Sequence, residues 1–174
     1  MKRADLEHVL RASKDITGET EFIVLDSQSL LGPYPHAPSE LCVSMEVDLY
    51  PKNRPELAML IEGSLGELSQ FHGKFGYYAD GVTPETAKLP HGWADRVVRV
   101  SNENTRGAIG WCLDPHDLAF SKLAARREKD LRFVAGLLRH KLIRLSFLEA
   151  LIESADSPEL REKLEEALAT CRQK

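Results

Sequence analysis

Apolar residues along this chain recur in two rhythms, and the switching between them predicts the order of elements. Leu6, Val9 and Leu10 recur at helical spacing, so residues 3–13 are predicted as a short amphipathic helix, closed by Thr17-Gly18. Phe22-Ile23-Val24-Leu25 is a short apolar run and reads as a buried strand. The stretch from Gly32 to Pro38 holds three prolines and reads as loop. From Leu41 to Tyr50 the pattern alternates: Val43, Met45, Val47 and Leu49 fall on one side, Ser44, Glu46, Asp48 and Tyr50 on the other. That is a strand with a polar face, closed by Pro51.

Pro55 then opens a predicted helix to about Leu68, with Leu57, Leu60, Ile61 and Leu65 inward. Three strands are predicted next, at residues 75–80, 96–100 and 108–113. Asp114-Pro115 supplies a capping carboxylate followed by proline at the first helical position. Helical spacing continues from there, with a break at His140-Lys141 and a final helix predicted from Ser157 to Lys174, carrying Leu160, Leu164 and Leu168. The pattern implies an α+β fold: a mixed sheet flanked by helices, with residues 1–113 as the core and 114–174 as a C-terminal helical cluster packed on it.

Composition narrows the classes of function. The 174 residues carry a net charge of -4, which argues against wholesale coating of nucleic acid but leaves room for a local basic site. No apolar run is long enough for a membrane span, and the first residues lack the apolar stretch of a signal peptide. Cys42, Cys112 and Cys171 are odd in number and widely spaced, which suits reduced thiols and a cytoplasmic location. No zinc spacing, Walker loop, dinucleotide fingerprint or nucleophile elbow is present.

Three groups of residues remain as candidates for chemistry. Glu46 and Asp48, two apart on a strand, share one face about 6–7 Å apart, a spacing that suits magnesium. An ordinary solvated strand face accounts for the same pattern. Ser27, in the turn Asp26-Ser27-Gln28-Ser29, is placed to donate to a phosphate, or simply to cap a short helix. Within Asp117–Asp130, continuous helix would put Lys122, Arg126, Lys129 and Asp130 on one face. Such a face could hold a polyanion, with Asp130 orienting Arg126, or it could be a solvated surface laced with ion pairs. Tyr77, Tyr78 and Trp93 could stack on a base, although aromatics in strands usually belong to a core.

Taken together, the Phe22–Leu25 strand with Ser27-Gln-Ser-Leu-Leu, the strand Ser44-Met-Glu-Val-Asp-Leu-Tyr-Pro51 and the segment Pro115–Asp130 resemble the polymerase-β-like nucleotidyltransferase superfamily. The resemblance is to the small prokaryotic branch related to abortive-infection nucleotidyltransferase toxins, and it covers roughly residues 1–140. It implies transfer of a nucleoside monophosphate from a magnesium-bound nucleoside triphosphate to a hydroxyl of RNA or protein, with a cognate antitoxin as a possible partner. Carried across, Ser27 is the serine of a Gly-Ser phosphate turn, and Glu46 and Asp48 are the metal-binding acidic pair, with Asp80 as third carboxylate. Lys122 becomes a catalytic cation, and Arg126, Lys129 and Asp130 complete the phosphate-binding motif. The chain departs from the pattern in three places. Asp26 stands where glycine is expected, 18 residues separate Ser27 from Glu46, and the pair reads Glu-x-Asp. An inactive module that keeps the fold is the alternative that Asp26 leaves open.

Overall fold

The computed structural model describes residues 1–172. A five-stranded mixed sheet forms its middle layer, built from β1 (Glu21–Val24), β2 (Glu46–Pro51), β3 (Tyr78–Gly81), β4 (Val98–Val100) and β5 (Ile109–Cys112). The strands lie in the order β3-β2-β1-β5-β4. β2 runs antiparallel to β1 and parallel to β3, while β5 runs parallel to β1 and antiparallel to β4. The helices are α1 (Arg3–Thr17), α2 (Ala58–Leu65), α3 (Gln70–Phe75), α4 (Pro115–Ala125), α5 (Glu128–Arg139), α6 (Leu145–Glu153) and α7 (Pro158–Cys171). The α+β architecture read from the sequence is therefore the one observed.

Strand alternation divides the core in two. Phe22, Val24, Val47 and Leu49 pack with Leu6 and Leu10 of α1 and Ile61 of α2. Ile23, Leu25 and Tyr50 join Leu118 and Leu123 of α4, Val134 of α5, Leu148 of α6 and Leu164 of α7. Glu46 and Asp48 share the parity of Tyr50, so they point to the side where α4–α7 pack. No helix among the described residues is long and apolar enough to cross a membrane.

Several predicted elements change shape. The helix expected through Asp117–Asp130 is broken at Arg126, which takes a left-handed conformation (φ 59°) and closes α4 through its N–H on the Lys122 carbonyl, 3.0 Å. α5 then restarts at Glu128, with Asp130 in its first turn accepting the Arg127 N–H at 3.3 Å. Lys122, Arg126, Lys129 and Asp130 are therefore not a ridge on one helix.

β2 begins at Glu46 instead of Leu41: its pairing with β1 starts at Leu49 and its pairing with β3 at Glu46, and one further bond, Tyr78 N–H to the Met45 carbonyl at 2.9 Å, ends the ladder. Val43 and Met45 are left 78% and 53% exposed. The predicted strand at residues 75–80 starts only at Tyr78; Phe75 ends α3, which Ser69 caps and Gly76 closes. Pro55–Leu57 forms a 3-10 turn ahead of α2, whose buried side is Ala58, Ile61 and Leu65, with Leu60 outward. The last helix follows its predicted cap, Ser157 accepting from Leu160 N at 3.1 Å. Its predicted end, Gln173 and Lys174, lies outside the described residues.

The proline-rich segment between Gly32 and Cys42 is docked against α5. A Cβ on Gly136 would stand 2.7 Å from Leu41 Cδ2, so glycine there allows the segment's close approach. Glu40 adds an ion pair to Arg139, at 2.7 Å, and a hydrogen bond with His140 Nε2. This docking sets one wall of the cleft described next.

Candidate functional site

A cleft of about 840 Å³ opens between the turn after β1, the start of β2 and the helices α4 and α5. Asp26, Ser27 and Glu46 line one part of it, and Lys122, Lys129 and Asp130 another. Asp48, Asp80 and Arg126 do not line it.

Asp26 reaches this position through its backbone. Its φ of 51° and ψ of -164° lie in a region that glycine adopts readily and other residues rarely do. The expected glycine is absent, but the glycine conformation is kept. A hydrogen bond of 2.8 Å from Leu25 N to the Asp48 carbonyl holds the preceding residue beside β2. The outcome is that Asp26, Glu46 and Asp48 each bring a carboxylate oxygen within 4.8 Å of the others.

Three like charges at this range are costly without a cation. Burial, followed by repulsion from Asp26, Glu46 and Asp80, pushes the Asp48 carboxyl up to about 7. Its Oδ1 is buried with no hydrogen-bond partner. Asp80, in register with Asp48 across β2 and β3, is pushed up to about 6 by burial and by the Glu62, Glu46 and Glu67 carboxylates. Asp80 stands outside the three-carboxylate cluster. Burial opposes ionisation of Asp26 too, but Lys122 and Ser27 outweigh it and hold that carboxyl below its usual range.

Lys122 is buried, and its ammonium pairs with Asp26 and, at 3.2 Å, with Asp130. Asp130 is wholly buried and also accepts from Arg127 Nε at 2.6 Å. The ion pair expected between Asp130 and Arg126 does not form; Arg126 pairs with Glu166 on α7, at 2.8 Å. Ser27 directs both its N–H (2.5 Å) and its hydroxyl (3.0 Å) to Asp26 Oδ1. Tyr78, buried opposite Glu46 in the β2–β3 register, donates to Glu46 Oε2 at 3.1 Å. Tyr77 joins His8 and Phe71 in an aromatic cluster, and Trp93 packs against the α4–α7 core.

The structure thus brings Ser27, Glu46, Asp48, Lys122 and Asp130 together, puts exposed Lys129 on the same cleft, and leaves Arg126 and Asp80 apart from it. Three contributors were missed in the sequence. Asp26 was read as an obstacle, because a backbone angle leaves no trace in residue type. Tyr78 acts on Glu46 only through the strand register. Arg127 was readable in principle: Arg127 and Asp130 stand at capping-box spacing, which announces a helix start once the break before it is recognised.

Over residues 4–170 the chain matches the model of a family described as nucleotidyltransferase of unknown function (DUF6036). The chain belongs to this nucleotidyltransferase family. No curated protein and no solved structure matches it significantly. Membership in a nucleotidyltransferase family implies a nucleoside triphosphate as substrate and a divalent metal, and the Asp26, Glu46 and Asp48 carboxylates are a group that could hold one.

Proposed function

We propose that this nucleotidyltransferase moves a nucleoside monophosphate from a nucleoside triphosphate to a hydroxyl group, with magnesium held by Asp26, Glu46 and Asp48. The observation that carries this reading is a cluster of three carboxylates, two of which, Asp26 and Glu46, line the same cleft as the buried Lys122 that pairs with Asp26. The donors suit the metal: they are hard oxygens, closely grouped, and one of them is a buried oxygen lacking any partner. When bound, magnesium supplies charge neutralisation and polarises phosphate oxygens.

The chain's own side chains supply the rest. Lys122, oriented by Asp130, offers fixed positive charge to the phosphates or to departing pyrophosphate. Arg127 holds the Asp130 carboxylate in place through a 2.6 Å hydrogen bond. Lys129 adds an exposed cation at the cleft wall. Ser27 holds terminal phosphates through its N–H and hydroxyl. Arg126 can assist only by releasing Glu166, an exposed pair worth at most about 1 kcal/mol. Asp80 adds negative potential beside Asp48. The resemblance of Pro115–Asp130 to abortive-infection toxins supports an RNA or protein hydroxyl as acceptor and a cognate antitoxin as partner.

A second reading, a nucleotide-binding or interaction module without chemistry, is favoured by the Asp26 carboxylate that sits on Ser27. Thermal shift with ATP, GTP, CTP and UTP separates the two, since ligand that binds the native state raises its stability. The enzyme should be stabilised by at least one of them in a magnesium-dependent way and should release pyrophosphate from it. No stabilisation by any nucleotide would remove the first reading.

Tyr78 gives a finer test. Tyr78→Phe removes the hydrogen bond that orients Glu46 and should weaken Mn²⁺ binding about tenfold, by isothermal titration. Unchanged affinity would show that Glu46 needs no such support.

A further inference from the structure

Ser27 N–H, the Ser27 hydroxyl and the Lys122 ammonium all converge on one atom, Asp26 Oδ1. Two N–H or O–H donors and a buried ammonium around one point make an anion site. In this structure the anion is the protein's own carboxylate. The same carboxylate lies within 4.8 Å of ligand oxygens on Glu46 and Asp48, so it borders two sites at once.

We infer that Asp26 is an internal plug: its carboxylate stands where a phosphate of the nucleotide binds, and a divalent cation at Glu46 and Asp48 draws it away to admit that phosphate. The inference rests on the proposed function and adds an order to it, metal before nucleotide. In the plugged state Ser27 spends both donors on Asp26, leaving neither for a triphosphate. Asp26 also takes up charge from Lys122 that a phosphate would need. A small rotation of the side chain toward Glu46 and Asp48 exchanges these partners for the metal. Lys122 does not follow, because Asp130 holds it at 3.2 Å and is itself held by Arg127.

The backbone of Asp26 makes the test feasible. Its positive φ is strained for any side chain and relaxed for glycine, so Asp26→Gly removes the plug without distorting the turn. Lys122 keeps Asp130 as its partner in that variant. Asp26→Asn serves as a second variant that keeps the shape and removes the charge.

The probe is ATP in the presence of EDTA, titrated calorimetrically into the full chain. Wild type should bind weakly or undetectably, and magnesium should raise its affinity at least tenfold. Asp26→Gly and Asp26→Asn should bind ATP at least tenfold more tightly than wild type without metal. Glu46→Gln and Asp48→Asn remove an equal charge nearby but do not occupy the Ser27 donors, so they should gain much less. Equal gains in all four variants would reduce the effect to general electrostatics and overturn the plug. So would metal-free binding by wild type as tight as that of Asp26→Gly, while leaving the transferase reading intact. Absence of binding by ATP, GTP, CTP and UTP alike in every variant, with or without magnesium, would overturn both.

Discussion

Asp48→Asn is expected to cut nucleotidyl transfer by about a thousandfold while making the metal-free protein more stable, not less. The two effects have one cause. In the absence of a cation the Asp48 carboxyl sits among Asp26, Glu46 and Asp80, and burial adds to the cost of its charge. Asparagine keeps the shape and removes the charge. The gain should be on the order of 2 kcal/mol at pH 8, which for a chain of this size raises the melting temperature by roughly 4–8 °C. Magnesium should raise the melting temperature of wild type but barely affect the variant, because a neutral amide replaces one of the three clustered carboxylates. Transfer assays and melting curves with and without magnesium measure both. Wild-type activity in the variant, or a fall in its metal-free melting temperature, would contradict the site assignment.

The second large effect is on pH dependence, and its direction is unusual for carboxylates. Most buried carboxylates are paired, so proteins lose stability as acid protonates them. Here Asp48 is pushed up to about 7 from an ordinary value of 3.8. Between those values the folded chain holds a proton that the unfolded chain has released. The resulting stability is fully present below about pH 4 and disappears as pH rises through 7. Asp80, pushed up to about 6, acts in the same direction. Asp26, held low by Lys122 and Ser27, acts in the opposite direction, but only at pH values near or below its ordinary range. From pH 5 to pH 8 the metal-free protein should therefore lose about 2–3 kcal/mol through Asp48, an order-of-magnitude figure from one raised carboxyl. Urea denaturation across that range, with EDTA and then with magnesium, tests it. The slope should flatten with metal; stability that climbs from pH 5 to pH 8 without metal would refute the account of Asp48.

How far the sequence could be read depended on where the information resides. Alternation at Val47 and Leu49 identified the face of β2 that carries Glu46 and Asp48, because burial and parity are local. The Asp114-Pro115 start of α4 and the Ser157 cap of α7 were equally plain, being set by one or two residues. The bend at Arg126 was not, since a non-glycine residue in left-handed backbone carries no residue-type signal, and helical spacing runs through it. The same limitation concealed Asp26. Register-dependent neighbours such as Tyr78 and Glu46, 32 positions apart, needed the assembled sheet. The family resemblance supplied roles for residues that periodicity alone assigned to solvated faces, whereas the unbroken cationic helix was an expectation from spacing that the chain does not follow.

That bend has a consequence for how this segment tolerates change. Asp130 stands eight positions after Lys122, and a straight helix would set the two about 12 Å apart along its axis. The elbow instead lets their side chains meet, Nζ to Oδ1, at 3.2 Å. Lysine and aspartate thus work like the two jaws of a clasp hinged at Arg126-Arg127. One residue inserted or deleted at the hinge would misalign the jaws, whereas extra length past Arg139 would leave the clasp shut.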